Sequence, residues 1–138
     1  MKKRKFLPPL AELIDRMTVT QIKLALLKNG KNDFANELKK LEHDIDIIIC
    51  ENNVAVDSNI IRSAIILAQI NLHIWINKDK MQTNLENEPE YLRLLKFAHQ
   101  LNGIRNKIKN SLLNREKIQN ESQKKSNLET DGLDWSID

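Results

Sequence analysis

The chain has few residues that bend, crosslink or stack. Its 138 residues include three glycines, three prolines and one cysteine, and aromatic side chains make up 4%. So little punctuation predicts long helices joined by short loops. The lone Cys50 excludes an internal disulfide, which agrees with a reducing cytoplasm. Scarce aromatics leave aliphatic side chains to fill the core. There is no glycine-rich phosphate loop, no internal repeat and no composition shift marking a second domain. At the N-terminus Lys2, Lys3, Arg4 and Lys5 precede Phe6-Leu7-Pro8-Pro9. Prolines and charges follow too soon for the apolar stretch of a signal peptide.

The length suits one domain with a core of useful size. A net charge of +3 is a mild excess that does not by itself imply nucleic acid. Hydrophobic periodicity then sets out four helices. The first starts at Pro8-Pro9, where proline suits the first turn, and presents Leu10, Leu13, Ile14 and Met17. Thr18 followed by Gln21 has capping-box spacing, so this helix can break at Thr18 before closing at Asn29-Gly30. A second helix, capped by Asn32 or Asp33, carries a stripe of Phe34, Leu38, Leu41, Ile45 and Ile48 and closes at Asn52-Asn53. The third is expected over Ser58–Asn77, with Asp57 or Ser58 as its cap. The last opens with a second capping box, Asn87 to Glu90, and runs to about Lys117 on a stripe from Leu94 to Leu112.

The expected fold is therefore all-α: a four-helix, mainly antiparallel bundle over 8–118. A basic segment over 1–7 precedes it, and a polar, disordered tail over 119–138 follows.

Ser58–Asn77 is apolar nearly all round, which predicts the most buried helix of the bundle. Asn71 projects from the middle of its apolar face, so its amide must find partners. On the first helix Glu12 and Asp15 share one side. On the last, Arg105 lies close to the apolar stripe, with Asn102 and Lys109 further round the same side. An arginine so placed calls for a carboxylate, so Asp15, Asn71 and Arg105 are expected to meet at one edge of the core. Such a set is either a structural ion pair with an amide, or a pocket for phosphorylated or sugar-nucleotide ligands. The candidate ligand residues are Glu12, Asp15, Asn71, Asn102, Arg105 and Lys109. Gly103 beside them is expected to permit close helix approach or ligand access.

Other groups carry less. His43, His73 and His99 are scattered one per helix, without the i,i+4 pairing of a helical zinc site; no metal or cofactor is implied. Cys50 is expected as a small buried hydrophobe. Lys107, Lys109, Arg115 and Lys117 are expected to overhang the bundle and, with the N-terminal run Lys2, Lys3, Arg4 and Lys5, to offer a basic surface for nucleic acid. Leu133, Trp135 and Ile137 alternate with polar residues near the C-terminus, as an anchor for a protein partner or a segment folding back on the bundle. The leading functional expectation is a binding or interaction module.

Glu12-Leu13-Ile14-Asp15-Arg16, Asn71-Leu72-His73-Ile74-Trp75 and Leu101-Asn102-Gly103-Ile104-Arg105-Asn106 resemble recurring segments of small uncharacterised bacterial helical proteins. Some of these lie near glycan-biosynthesis genes, and the resemblance spans roughly residues 8–112. It implies a helical fold and no established activity. Glu12-Leu13-Ile14-Asp15 also resembles one ExxD of the MazG-type nucleotide pyrophosphohydrolases, but the ExxE that would complete their magnesium site is missing. Arg93 and His99 have the R-x5-H spacing of HEPN-type ribonucleases, yet diverge on a continuous helix, and Leu94 stands where those enzymes carry a polar residue.

Overall fold

The computed structural model describes residues 7–120. Four helices account for nearly all of it: α1 (Leu10–Leu26), α2 (Lys31–Glu51), α3 (Ser58–Gln82) and α4 (Glu88–Asn120). The short connections at 27–30, 52–57 and 83–87 reverse the chain each time, as expected of an antiparallel bundle. Cross-helix bonds show the same directions. The first backbone N–H of α1, at Leu10, donates to Glu116 near the end of α4. Thr20 of α1 donates to Glu37 early in α2. Arg115 late in α4 reaches Asp57 at the start of α3, and Asn77 late in α3 donates to the Leu94 carbonyl early in α4. The expected tail over 119–138 lies almost wholly outside the described residues.

α1 is the hub. It packs against α2, α3 and α4, whereas α2 packs only against α1, and α3 and α4 pack against each other. Leu10, Ala11, Leu13 and Ile14 of α1 join Leu41 and Ile48 of α2, Ile60 and Leu67 of α3, and Leu112 of α4 in one core cluster. The most buried helix is therefore α1, not α3 as its composition suggested. The backbones of α2 and α3 come nowhere within 8 Å of each other, Cα to Cα, so one flank of α3 is left without close cover.

Helix ends follow local chemistry, with corrections. α1 does not break at Thr18. The Thr18 hydroxyl donates back to the Asp15 carbonyl at 2.8 Å, and the helix continues to Leu26. Gly30 does not close α1; it stands at the N-cap of α2 with φ +83°, a left-handed conformation that glycine adopts without steric cost. Neither Asn32 nor Asp33 caps that helix. Asp57 caps α3 as expected, accepting from the Ile60 N–H at 3.1 Å, but α3 runs five residues beyond Asn77. Asn87 accepts from the Glu90 N–H at 3.3 Å at the head of α4.

The end of α4 does not overhang. Leu112 is buried, Lys109 pairs with Glu12, and Arg115 pairs with Asp57. The starts of α1 and α3 reach these turns: the Leu10 N–H donates to Glu116, and Asp57 pairs with Arg115.

Between α2 and α3 lies an open apolar groove of about 650 Å³. α1 forms its floor through Leu10 and Ile14, α2 one wall through Ile45 and Ile49, and α3 the other through Ile61 and Ile65.

Candidate functional site

α1, α3 and α4 meet at Asp15. Its position follows from α1 being central: Asp15 sits beside Leu13 and Ile14 on a helix covered from three sides, and only 1% of it is exposed. A carboxylate so buried must be paired and hydrogen-bonded. Arg105 of α4 supplies a two-pronged contact, Nε to Oδ1 at 3.0 Å and Nη2 to Oδ2 at 2.5 Å. From α3 the Asn71 amide donates to Oδ1 at 2.9 Å and to the Thr18 hydroxyl at 2.7 Å. Lys109, one helical turn beyond Arg105, lies 3.5 Å from Asp15 Oδ2 and 2.9 Å from Glu12 Oε1.

The expected meeting of Asp15, Asn71 and Arg105 is thus present, with Glu12 and Lys109 at its rim. Asn102 is not part of it. It is exposed and donates to the Ala98 carbonyl of its own helix at 3.1 Å. Gly103 faces solvent, and a β-carbon there would meet nothing within 4 Å, so it serves neither close packing nor access. Thr18 also belongs to the network, although its spacing to Gln21 is that of a cap. Gln21 is exposed. Leu133, Trp135 and Ile137 lie outside the described residues.

The electrostatics describe a closed set. Burial alone would raise the Asp15 carboxyl, but hydrogen bonds from Arg105 and Asn71, with the charges of Arg105 and Lys109, outweigh it and hold the pKa below the ordinary aspartate value. Arg105 is correspondingly raised by its bond to Asp15. The two carboxylates face Arg105 and Lys109, and the more exposed Arg16 approaches Glu12 at 3.9 Å. Both oxygens of Asp15 accept, and among the described residues the only buried side-chain polar atom without a partner is Arg115 Nε, elsewhere on α4. No phosphate-binding cation is left over inside the cluster. No group of His, Cys, Asp and Glu that could hold a metal occurs among the described residues. The Glu12-to-Asp15 pair of the ExxD pattern is held instead by Arg105 and Lys109.

The remaining candidates are dispersed. His43, His73 and His99 are all exposed, and Arg93 pairs with Glu90 on its own helix. Cys50 is exposed, contrary to expectation, on the last turn of α2. Of the four α4 residues expected to bind nucleic acid, Lys109 and Arg115 are engaged by Glu12 and Asp57, and the N-terminal run lies outside the described residues.

The feature that periodicity did not reveal is the orientation of α3. Its buried positions are Ile60, Ser63, Leu67, Asn71 and Asn77, while Ile61, Ile65, Leu72 and Ile76 are 39–54% exposed. α3 is long and apolar enough to cross a membrane by length and composition, yet it packs against α1 and α4 through a face carrying three polar side chains. Comparison with protein-family models, with curated proteins and with solved structures finds no match to this chain.

Proposed function

We propose that the protein is a non-catalytic interaction module whose docking face is the outward stripe of α3. The observation that carries this reading is the flank that α3 leaves uncovered: Asn71 and Asn77 are buried together with Ile60 and Leu67, while branched aliphatics on the other flank stay exposed. Ile61, Ile65, Leu72 and Ile76 recur at intervals of four and seven residues, the spacing that receives an amphipathic helix. Contiguous exposed apolar surface of this kind marks interaction sites. The buried Asp15 network supports the same reading from the other side: its charges satisfy one another, so it holds three helices in register. An exposed lone thiol at Cys50 is compatible with a protein of the reducing cytoplasm.

The test is affinity capture with the purified full chain and with the double variant Leu72→Glu/Ile76→Glu. Both positions are solvent-exposed, so the variant is expected to keep its helical signal and its melting behaviour. Proteins retained by the wild type should be lost from the folded variant. Identical capture by both, or no specific capture by either, overturns the reading.

A further inference from the structure

Three helices line the groove between α2 and α3, each over a stretch of similar length. The stretches run from Leu10 to Met17 on α1, from Glu42 to Ile49 on α2 and from Ile60 to Ala68 on α3. Each covers about 10 Å at 1.5 Å per helical residue, or roughly two helical turns. α1 is the floor, and the backbones of α2 and α3 stay more than 8 Å apart, Cα to Cα. An open apolar trough over one helix and between two others is the form that receives the apolar stripe of an amphipathic helix.

The charge of the groove is of one sign. Its charged lining residues are Glu42 and Asp46, four apart on the α2 wall, and no lysine or arginine lines it. Both carboxylates are exposed, and neither pairs with a cation among the described residues. Elsewhere in the bundle Asp15, Glu12 and Asp57 are held by Arg105, Lys109 and Arg115. From Glu42 to Glu51 α2 contains no lysine or arginine, and this half of the helix ends at the negative pole of its macrodipole, with no basic residue in the last turn. A purely apolar occupant would cover the two carboxylates and leave them without partners, which is costly. A cation at the same place removes that cost and adds attraction at a distance. A bilayer surface suits the groove poorly: it cannot follow the recessed floor at Leu10 and Ile14, and its anionic headgroups would face an acidic wall.

We infer that the groove receives a cationic amphipathic helix of a partner protein. Its apolar side chains at i, i+4 and i+7 lie between the aliphatic walls, and two lysines or arginines one turn apart face Glu42 and Asp46. This rests on the reading of the protein as an interaction module and adds the chemistry of the partner. Leu72 and Ile76, whose replacement tests that reading, do not line the groove, so the two can fail separately.

Synthetic helical peptides serve as probes of the full chain. The first carries leucines at i, i+4 and i+7 and two lysines one turn apart on one flank. The second has glutamates in place of the lysines, and the third has serines in place of the leucines. Calorimetry and amide shifts of the isotopically labelled chain should show the first peptide bound, with shifts at Ile45, Asp46, Ile49, Ile61 and Ile65. The second should bind about tenfold more weakly, as two partly exposed ion pairs allow, and the third should not bind. In Glu42→Lys/Asp46→Lys, whose altered side chains are exposed, the fold should persist and the preference should pass to the second peptide. The gap between the two should also narrow as salt shortens the screening length, which is ~10 Å at 0.1 M.

Equal affinity for the first two peptides, or a preference that the charge reversal leaves unchanged, overturns the cationic partner and leaves an apolar interaction face standing. Binding of no peptide, or shifts confined to other helices, overturns the groove as the site, and the Leu72→Glu/Ile76→Glu capture then decides the interaction module by itself. A free chain that sediments as a dimer lost in Ile65→Glu, and that the first peptide does not dissociate, would make a second copy the occupant and overturn the inference. Phosphatidylcholine–phosphatidylserine vesicles bound by the wild type and not by Ile65→Glu would overturn it likewise.

Discussion

The Asn71 side-chain amide bridges Asp15 Oδ1 at 2.9 Å and Thr18 Oγ1 at 2.7 Å, tying α3 to two successive turns of α1. One nitrogen thereby satisfies the buried carboxylate and the hydroxyl at the point where α1 was expected to break. Replacing Asn71 with Leu removes both donors and should cost about 1–3 kcal/mol, the penalty of leaving buried acceptors unmet. Asn71→Asp should cost more at neutral pH, because it sets a second carboxylate against Asp15 and one of the pair must then titrate high. A folded-state pKa raised in this way contributes stability at low pH and loses it as pH rises. The deficit of Asn71→Asp relative to wild type should therefore shrink on acidification, as urea titrations at several pH values would show.

Asp15 is the partner whose loss should matter most. Asp15→Ala leaves Arg105 without its carboxylate, and breaking a buried pair on one side typically costs about 3–5 kcal/mol. Arg105 is partly exposed, 28% at the side chain, and can turn toward water, so the lower end is expected. Asp15→Leu/Arg105→Met, which removes both charges, should be less destabilised than the two single changes added together. The sign of the pH dependence is set by the depressed Asp15 pKa. Its contribution is present above the unfolded value of about 3.9 and is lost as pH falls through the lower folded value. Unfolding curves of wild type and Asp15→Asn should accordingly converge only in acid, below about pH 4.

Glu116 behaves oppositely. Burial raises its carboxyl, and the bonds from the Leu10 and Ala11 N–H groups do not fully offset that. Stability linked to Glu116 is thus present below its unfolded pKa and lost as pH rises through the folded one. Glu116→Gln keeps an acceptor for the Leu10 N–H and removes the buried charge, so it should be neutral or stabilising at pH 7. Glu116→Ala removes the acceptor at the head of α1 and should cost about 0.5–2 kcal/mol, like the loss of an N-cap. Thermal melts of the two variants at one pH would separate these outcomes.

Gly103 offers a gain. It lies within α4, exposed, with no atom near the position of a β-carbon. Gly103→Ala should stabilise the protein by roughly 1 kcal/mol through helix propensity alone. An unchanged or lowered melting temperature would mean that Gly103 has a role beyond the isolated chain, such as close approach of a partner.

Much of this molecule is legible along the chain. Long unpunctuated stretches and 3.6-residue periodicity determine four helices, because apolar spacing and scarce Gly and Pro act locally. Asp57 before α3 and Asn87 before α4 mark their helix starts for the same reason: a cap needs only its neighbours three residues on. Even the meeting of Asp15, Asn71 and Arg105 is determined in outline, since a polar side chain on an apolar face must be paired wherever it is buried. Tertiary structure decided the rest. Asn102 lies near the Arg105 side of α4, but its angle alone could not say that α1 covers one edge of that face and solvent the other. Thr18 fits a cap in isolation and becomes a bridge only when Asn71 arrives from α3. Above all, a helix apolar on nearly every side does not state which side it will bury. α3 turned its amides inward because Asp15 of α1 and the Leu94 carbonyl of α4 were there to receive them. α2, packed on α1 alone, left the opposite aliphatic flank open. Periodicity supplies the directions of side chains on one helix, and only the packing of the others decides which of those directions meet protein and which meet water.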